Sequence, residues 1–444
     1  MSAPTGRTGP PPPSSGPTHR SRKKSLLAST VGNVLEWYEW SAYAVFTPFI
    51  AAVMFHQGDP VSALLSTLAV FAVGFLMRPL GGIVFGRIAD RRGRKFVLIT
   101  TLLMMAAGSM VIGVMPTYET IGAWASLILL SARVLQGFAH GGESATAYSY
   151  VGEIAPPHRR GMWGSVAFIA IYGGSVLAYS LGGAITTVLS ESAVAEWGWR
   201  IPFLLGALLA VVALYLRRGM DESDVFEADQ AREGREEQQP EKSEPAEPAA
   251  GRREITKAVL VMIAMISGIT AAHYTWTSYV ATYAITQQGM DPDTAYWMSV
   301  IAQVIALVSL PFWGLLSDRI GRRPMLLIFA VLMFTLQYPL TQMISSSGWT
   351  LLLATTVALL VVSAPAAALS AILSESFPTR VRTQGIGFAY SLSVAVFGGS
   401  APYLNQLFNG LGIGWVFGAY IMVLCVLTGI SCLFIRETRG MQLT

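Results

Sequence analysis

GRIADRRGRK (residues 86–95) returns as GLLSDRIGRR (residues 314–323), about 228 residues further along a chain of 444. Gly86, Asp90, Arg91, Gly93, Arg94 and Lys95 match Gly314, Asp318, Arg319, Gly321, Arg322 and Arg323. Each copy lies between two long apolar segments. A second pair keeps a similar offset: EIAPPHRRG at 153–161 and ESFPTRVRTQG at 375–385. The chain therefore reads as two parallel halves that repeat the same loops. In a membrane protein, parallel repeats of this size predict two lobes with a site between them.

Composition agrees with a membrane protein. Hydrophobic residues make up 53% of the chain and charged residues only 13%, against about 25% charged in soluble domains. Mean hydropathy is +0.51. Apolar runs of bilayer length recur. They predict twelve spans: 26–55, 61–85, 96–115, 121–151, 162–188 and 200–217 in the first half, then 257–285, 294–316, 325–344, 349–374, 384–408 and 413–435. The runs do not alternate as barrel strands would, so the spans are helices. The expected fold is an all-α membrane protein of twelve transmembrane helices in two six-helix lobes, 26–217 and 257–435.

Lys and Arg cluster on one side of this topology: Arg20 to Lys24, the 86–95 cassette, Arg159, Arg160, Arg319, Arg322, Arg323, Arg380, Arg382, Arg436 and Arg439. The loops expected on the other side contain none, apart from Arg200 at an edge. Cytoplasmic loops carry this excess, so both termini are expected in the cytoplasm of a cell with the protein in its plasma membrane. The net charge of +4 reflects the asymmetry and gives no argument for nucleic acid. Residues 1–25 read as a disordered cytoplasmic tail, 218–256 as an acidic cytoplasmic linker and 436–444 as a second tail. Cys425 and Cys432 lie seven apart on one helix, too far to bond each other. No Walker loop, nucleophile elbow or metal-ligand spacing is present, so neither an ATP-driven pump nor an enzyme is expected, and no cofactor is called for.

The cassettes suit a gate. Their first glycines would let helices approach closely. Asp90 and Asp318 can accept hydrogen bonds from the free N–H groups at the start of a neighbouring helix. Arg94 and Arg322 can bridge to Glu153 and Glu375. Arg91 and Arg319 add charge beside them. Such contacts would hold helix ends together in one state and break in the other.

The cassettes resemble the loop motif of the major facilitator superfamily, and RVLQG at 133–137 resembles its fourth-helix motif. GNVLEWYEW (32–40), GFLMRPLGG (74–82), GGE (141–143), WGWRIPF (197–203) and FPTRVRTQGIGFAYSLSVAVFGGSAPYL (377–404) together resemble the metabolite:proton symporter family. Within it, residues 74–95 and 197–218 are most similar to permeases for α-ketoglutarate. The resemblance implies alternating access and proton-coupled uptake of organic acids, with a proton as the coupling ion. Glu39 departs from the family, which usually has Asp there. His140 stands where relatives mostly carry small or apolar residues.

Ionisable groups inside a bilayer are costly and mark cavities or partners. They are Glu36 and Glu39 on helix 1, Arg78 on helix 2, Arg133, His140 and Glu143 on helix 4, and His273 on helix 7. The resemblance to sugar symporters implies that Arg133 pairs with Glu39 when the site is empty. Proton uptake by Glu39 would then free Arg133 for a substrate carboxylate. Glu36 and Glu143 join the same proton network or act as buried structural partners. Arg78 either holds a second carboxylate or braces the helix 2 backbone. Tyr38, Gln136, Tyr274 and Gln303 are candidate hydrogen-bonding partners of an organic acid. Proton-driven exporters of the superfamily usually carry a Gly–Pro motif in helix 5; residues 162–188 hold Gly173, Gly174, Gly182 and Gly183 but no proline, so the resemblance implies symport over export. The expected function is proton symport of a dicarboxylate such as α-ketoglutarate by a monomer. Uptake of a zwitterionic osmolyte or a shikimate-like acid, metabolite export, and a nontransporting sensor are the other readings.

Overall fold

The computed structural model describes residues 19–56, 58–92, 94–141, 155–218, 252–376 and 382–441, and every regular element among them is helical. The helices form twelve rods. The first lobe holds α1 (His19–Val45, followed by Thr47–Met54), α2 (Pro60–Leu76 and Arg78–Arg92), α3 (Arg94–Val114), α4 (Ala123–His140), α5 (Arg160–Val188) and α6 (Ile201–Arg218). The second holds α7 (Arg252–Tyr274, the π-helical turn Thr275–Tyr279, then Val280–Gln288), α8 (Pro292–Ile320), α9 (Arg322–Met343) and α10 (Gly348–Ser376). It is completed by α11 (Arg382–Ser393, the π-helical turn Val394–Gly398, then Ala401–Gly410) and α12 (Trp415–Ser431).

Local chemistry sets several helix ends. Asp59 caps α2, its carboxylate accepting from the Val61 amide at 3.0 Å, with Pro60 in the first turn. Gly289, at φ 64°, closes α7 in the left-handed conformation that side chains resist.

Eight helices among the described residues are long and apolar enough to cross a membrane. α1 and α4 are not among them, because they carry Glu36, Glu39, Arg133, Gln136 and His140. α6 exposes Leu208, Val211, Val212 and Tyr215, an apolar face suited to hydrocarbon. In α10, by contrast, 83% of the spanning window is buried, and its Ala and Ser residues let neighbours close in from all sides. The lobes meet where α5 packs along α8 and where α2 meets α11.

Within the first lobe α2 and α4 cross backbone to backbone. A Cβ on Gly137 would collide with the carbonyl oxygen of Gly74, and one on Gly141 with that of Arg78. Small residues at such crossings let membrane helices approach closely. A Cβ on Gly314 would strike Gly161 and Met162 across the lobe interface, whereas one on Gly86 meets nothing within 4 Å among the described residues. Close approach at the first cassette position is therefore seen at Gly314.

Residues 436–441, expected as part of a plain tail, fold back against the second lobe. The Glu437 carboxylate accepts from the amides of Arg322 at 2.9 Å, Arg323 at 3.0 Å and Arg439 at 3.1 Å, which caps α9. Partial burial raises the Glu437 carboxyl, but these N–H groups and the Arg322 charge outweigh it and hold it below the usual glutamate range.

Gly137→Ala is expected to destabilise the protein by about 1–3 kcal/mol through overpacking, while Gly86→Ala leaves stability unchanged. Melting temperatures in detergent make the comparison. Glu437 should stabilise the fold fully above the unfolded glutamate pKa of about 4.3 and cease to do so as pH falls through its lower folded value. Glu437→Gln should therefore melt earlier than the wild type at neutral pH, with the gap closing in acid.

Candidate functional site: a charged aromatic core beside an inter-lobe cavity

The α2–α4 crossing brings two arginines onto one indole ring. The Arg78 guanidinium lies 4.2 Å from the centre of Trp40 and 3.8 Å from that of Phe75. The Arg133 guanidinium lies 4.0 Å from Trp40 and 4.4 Å from Tyr43. Guanidinium groups favour aromatic faces, and these are desolvated. Both side chains are buried, and Nε and Nη2 of each have no hydrogen-bond partner among the described residues. Donors of that kind are costly to leave unmade, so they mark a place where an anion would be stabilised. Tyr274, Tyr390 and Glu36 are the electrostatic neighbours of Arg78.

Arg133 reaches Glu39 through Gln136. Arg133 Nη1 donates to the Gln136 carbonyl oxygen at 2.9 Å, and Gln136 Nε2 donates to Glu39 at 3.2 Å and to Ser109 at 2.8 Å. The Ser109 hydroxyl also donates to Glu39. The direct Arg133–Glu39 pair expected from the sequence is thus replaced by a bridge. An amide carries an acceptor and a donor at opposite corners, so it can face a cation and a carboxylate together. α6 closes over the carboxylate at Gly206, where a Cβ would collide with Glu39. Ser109 escaped the sequence reading because one serine in an apolar run has no signature.

A second titratable pair lies one turn away. Glu36 contacts His140 Nδ1, and the Trp40 indole N–H lies 3.2 Å from the same nitrogen. Tyr38 faces away from this core, its hydroxyl donating to the Pro202 carbonyl on α6 at 2.9 Å. A hydroxyl used in helix packing is not offered to a substrate. Glu143 and Glu153 lie outside the described residues, as do the side chains of Asp90, Arg91 and Arg94.

A small cavity opens between the lobes. Trp37 and Trp40 from α1, Tyr172 and Ser175 from α5, and His273 and Tyr274 from α7 are among the residues that line it. Neither arginine is in its wall; Trp40 is, with both guanidinium groups against it. Gln303 is buried on α8, with no hydrogen-bond partner among the described residues, and is not in the wall either. Of the residues expected to bind substrate, Tyr274 alone lines the cavity in this conformation.

Contacts join the lobes near both ends of α8. At the cassette end, the Asp318 carboxylate accepts from the amides of Gly161 at 2.8 Å and Met162 at 2.9 Å, at the start of α5 in the other lobe. Arg322 is held by Asp318 at 2.8 Å and by Glu375 at 3.2 Å, and Arg160 lies 3.5 Å from Glu375. Arg319 is exposed at the end of α8. At the opposite end Tyr296 donates to the Val45 carbonyl at 2.7 Å, and the Trp297 indole donates to Thr187 at 3.2 Å.

Known proteins share this plan. Residues 24–444 match the family described as Sugar (and other) transporter. An alpha-ketoglutarate permease of Escherichia coli K12 is 34% identical over 427 residues, covering 96% of both chains. An ectoine/proline transporter of Corynebacterium glutamicum is 34% identical over 433 residues, covering 94% of this chain and 84% of its own. The crystal structure of a D-xylose-proton symporter superposes with a TM-score of 0.72 at 20% identity, covering 95% of this chain and all of the other. The chain belongs to the sugar (and other) transporter family of the major facilitator superfamily, whose members carry small molecules across membranes.

Proposed function

We propose that this protein is a proton symporter that takes up a small organic acid, of the dicarboxylate class that includes α-ketoglutarate. The observation that carries the proposal is the pair of buried arginines with unused N–H donors, one linked through Gln136 to a buried carboxylate. Within the first-lobe core, Arg78 and Arg133 face Glu36 and Glu39. These four charges balance when both acids are ionised. A proton on Glu39 leaves one cation unmatched in a low-dielectric core, and an entering carboxylate restores the balance. Proton and anion therefore enter together more readily than either does alone. An α-ketoglutarate permease among the relatives supports the substrate class.

In this reading Trp40 turns aside as substrate enters, exchanging two guanidinium–ring contacts for guanidinium–carboxylate bonds. Asp318, Arg322 and Glu375 gate the end of the cavity that the Lys and Arg distribution assigns to the cytoplasm. Asp90, Arg91, Arg94 and Glu153 would serve the matching role in the first lobe, and Glu143 would extend the proton network. The aromatic cavity wall favours a second reading, uptake of a zwitterion such as a betaine or proline, since rings also hold quaternary ammonium groups. An ectoine/proline transporter among the relatives supports that alternative.

Uptake of labelled α-ketoglutarate into proteoliposomes, with and without an inwardly directed proton gradient, separates the two. Gradient-stimulated uptake competed by succinate, but not by glycine betaine, is the expected result; the reverse pattern favours the zwitterion. Glu39→Gln should abolish accumulation against a gradient while sparing some exchange, and Arg133→Ala should abolish both. Accumulation that survives in Glu39→Gln would overturn the coupling assignment. Asp318→Ala removes the two charge-assisted hydrogen bonds that cross the lobes, along with its bond from Arg322, and should shift the gate toward opening by about tenfold or more, read as faster thiol labelling of a cysteine substituted for Met162.

A further inference from the structure

Among the described residues that line the cavity, His273 is the only one whose side chain can carry positive charge. It is 6% exposed, and its Nδ1 has no hydrogen-bond partner among the described residues. Three aromatic rings meet it almost perpendicularly: Tyr274 at 5.2 Å, Tyr172 at 5.5 Å and Phe168 at 6.2 Å between centroids. They fix the imidazole plane without supplying an acceptor in its plane.

The backbone beneath the ring is also fixed. His273 immediately precedes Tyr274 and the π-helical turn Thr275–Tyr279, a distortion frequent at functional sites. The Thr277 hydroxyl donates to the His273 carbonyl at 2.6 Å, and Tyr179 of α5 donates to the Thr277 carbonyl at 2.7 Å. The imidazole is therefore preorganised, buried, and present in the wall of a cavity whose lining also includes Trp40, with the two arginines against it.

We propose that His273 is a specificity-determining residue that binds the second carboxylate of the substrate from the second lobe. This rests on the organic-anion reading above and assigns the two ends of the molecule. One carboxylate goes to the Trp40 pole, where the arginines of the first lobe await it. The other accepts an N–H from His273, which offers a donor in either protonation state. A diacid then bridges the lobes. A monoacid leaves the imidazole donor facing an apolar chain end, and a site built around a buried donor discriminates against such a partner. Tyr172, Ser175 and Thr277 stand in the same wall and complete a hydroxyl-bearing rim around this second pole.

The test compares labelled α-ketoglutarate with labelled 2-oxobutyrate, a monoacid, in proteoliposomes of the full chain carrying wild type, His273→Phe or His273→Gln. Phenylalanine keeps a ring for the edge-to-face contacts and removes the donor; glutamine restores one. His273→Phe should raise KM for the diacid about tenfold or more, the worth of a hydrogen bond to a charged group, with the maximal rate and the monoacid KM within about twofold. His273→Gln should recover part of the diacid affinity. If His273→Phe folds poorly, the His273→Gln ratio of diacid to monoacid KM still decides, because intermediate selectivity is required of it. Equal losses for both acids in the variants would make His273 a packing residue and overturn the proposal, as would unchanged selectivity. Either of those results leaves the symporter reading intact, whereas a wild type that transports neither acid overturns both.

Discussion

Two guanidinium groups buried against one indole ring set the terms for the first lobe. Arg78 and Arg133 cannot shed their charge cheaply, and both are buried in a packed helical core. Everything around them answers that cost. Trp40, Phe75 and Tyr43 supply ring faces, Gln136 supplies one carbonyl, and Glu36 and Glu39 supply compensating charge. The glycines of α2 and α4 have the same consequence. By letting two backbones touch, they bring Arg78 and Arg133 against a single ring. Four guanidinium nitrogens have no hydrogen-bond partner among the described residues, and buried donors of that kind are costly to leave unmade.

The inter-lobe contact at the cassette end rests on different physics. Asp318 does not pair chiefly with another side chain; it caps a helix of the opposite lobe, where backbone N–H groups and helix dipole coincide. Arg322 and Glu375 hold that aspartate and the neighbouring helix ends in register. A contact between backbone donors and one carboxylate is strong when aligned and lost when the helices shift by a few ångströms. The backbone contact of Gly161 with Gly314 sets how near the lobes can come at this end.

Much of this was legible before any coordinates. Hydropathy located all twelve rods because a bilayer demands satisfied backbone over a fixed length. The duplicated cassette exposed the two-lobe plan. Glu36, Glu39, Arg78, Arg133 and Gln136 stood out because polar groups in apolar runs are expensive. Ser109, Arg160 and Glu437 did not stand out, since a serine in a helix, an arginine in a basic loop and a glutamate near the end are each ordinary locally. Tyr38 drew attention as a hydroxyl that could bond an organic acid, and the fold turned it toward Pro202 instead.

The sequence by itself determined the number of helices, the pseudo-repeat and the identity of the intramembrane charges, because burial cost and periodicity act along the chain. Only the tertiary structure decided which charges meet. Gln136 stands between Arg133 and Glu39, Trp40 stands in the cavity wall with both arginines against it, and His273 faces that cavity from the other lobe. The physical reason is that such contacts depend on helix rotation and crossing distance. Those are fixed by close packing between segments distant in sequence, such as Gly137 on Gly74 and Gly206 over Glu39, and no local pattern encodes them.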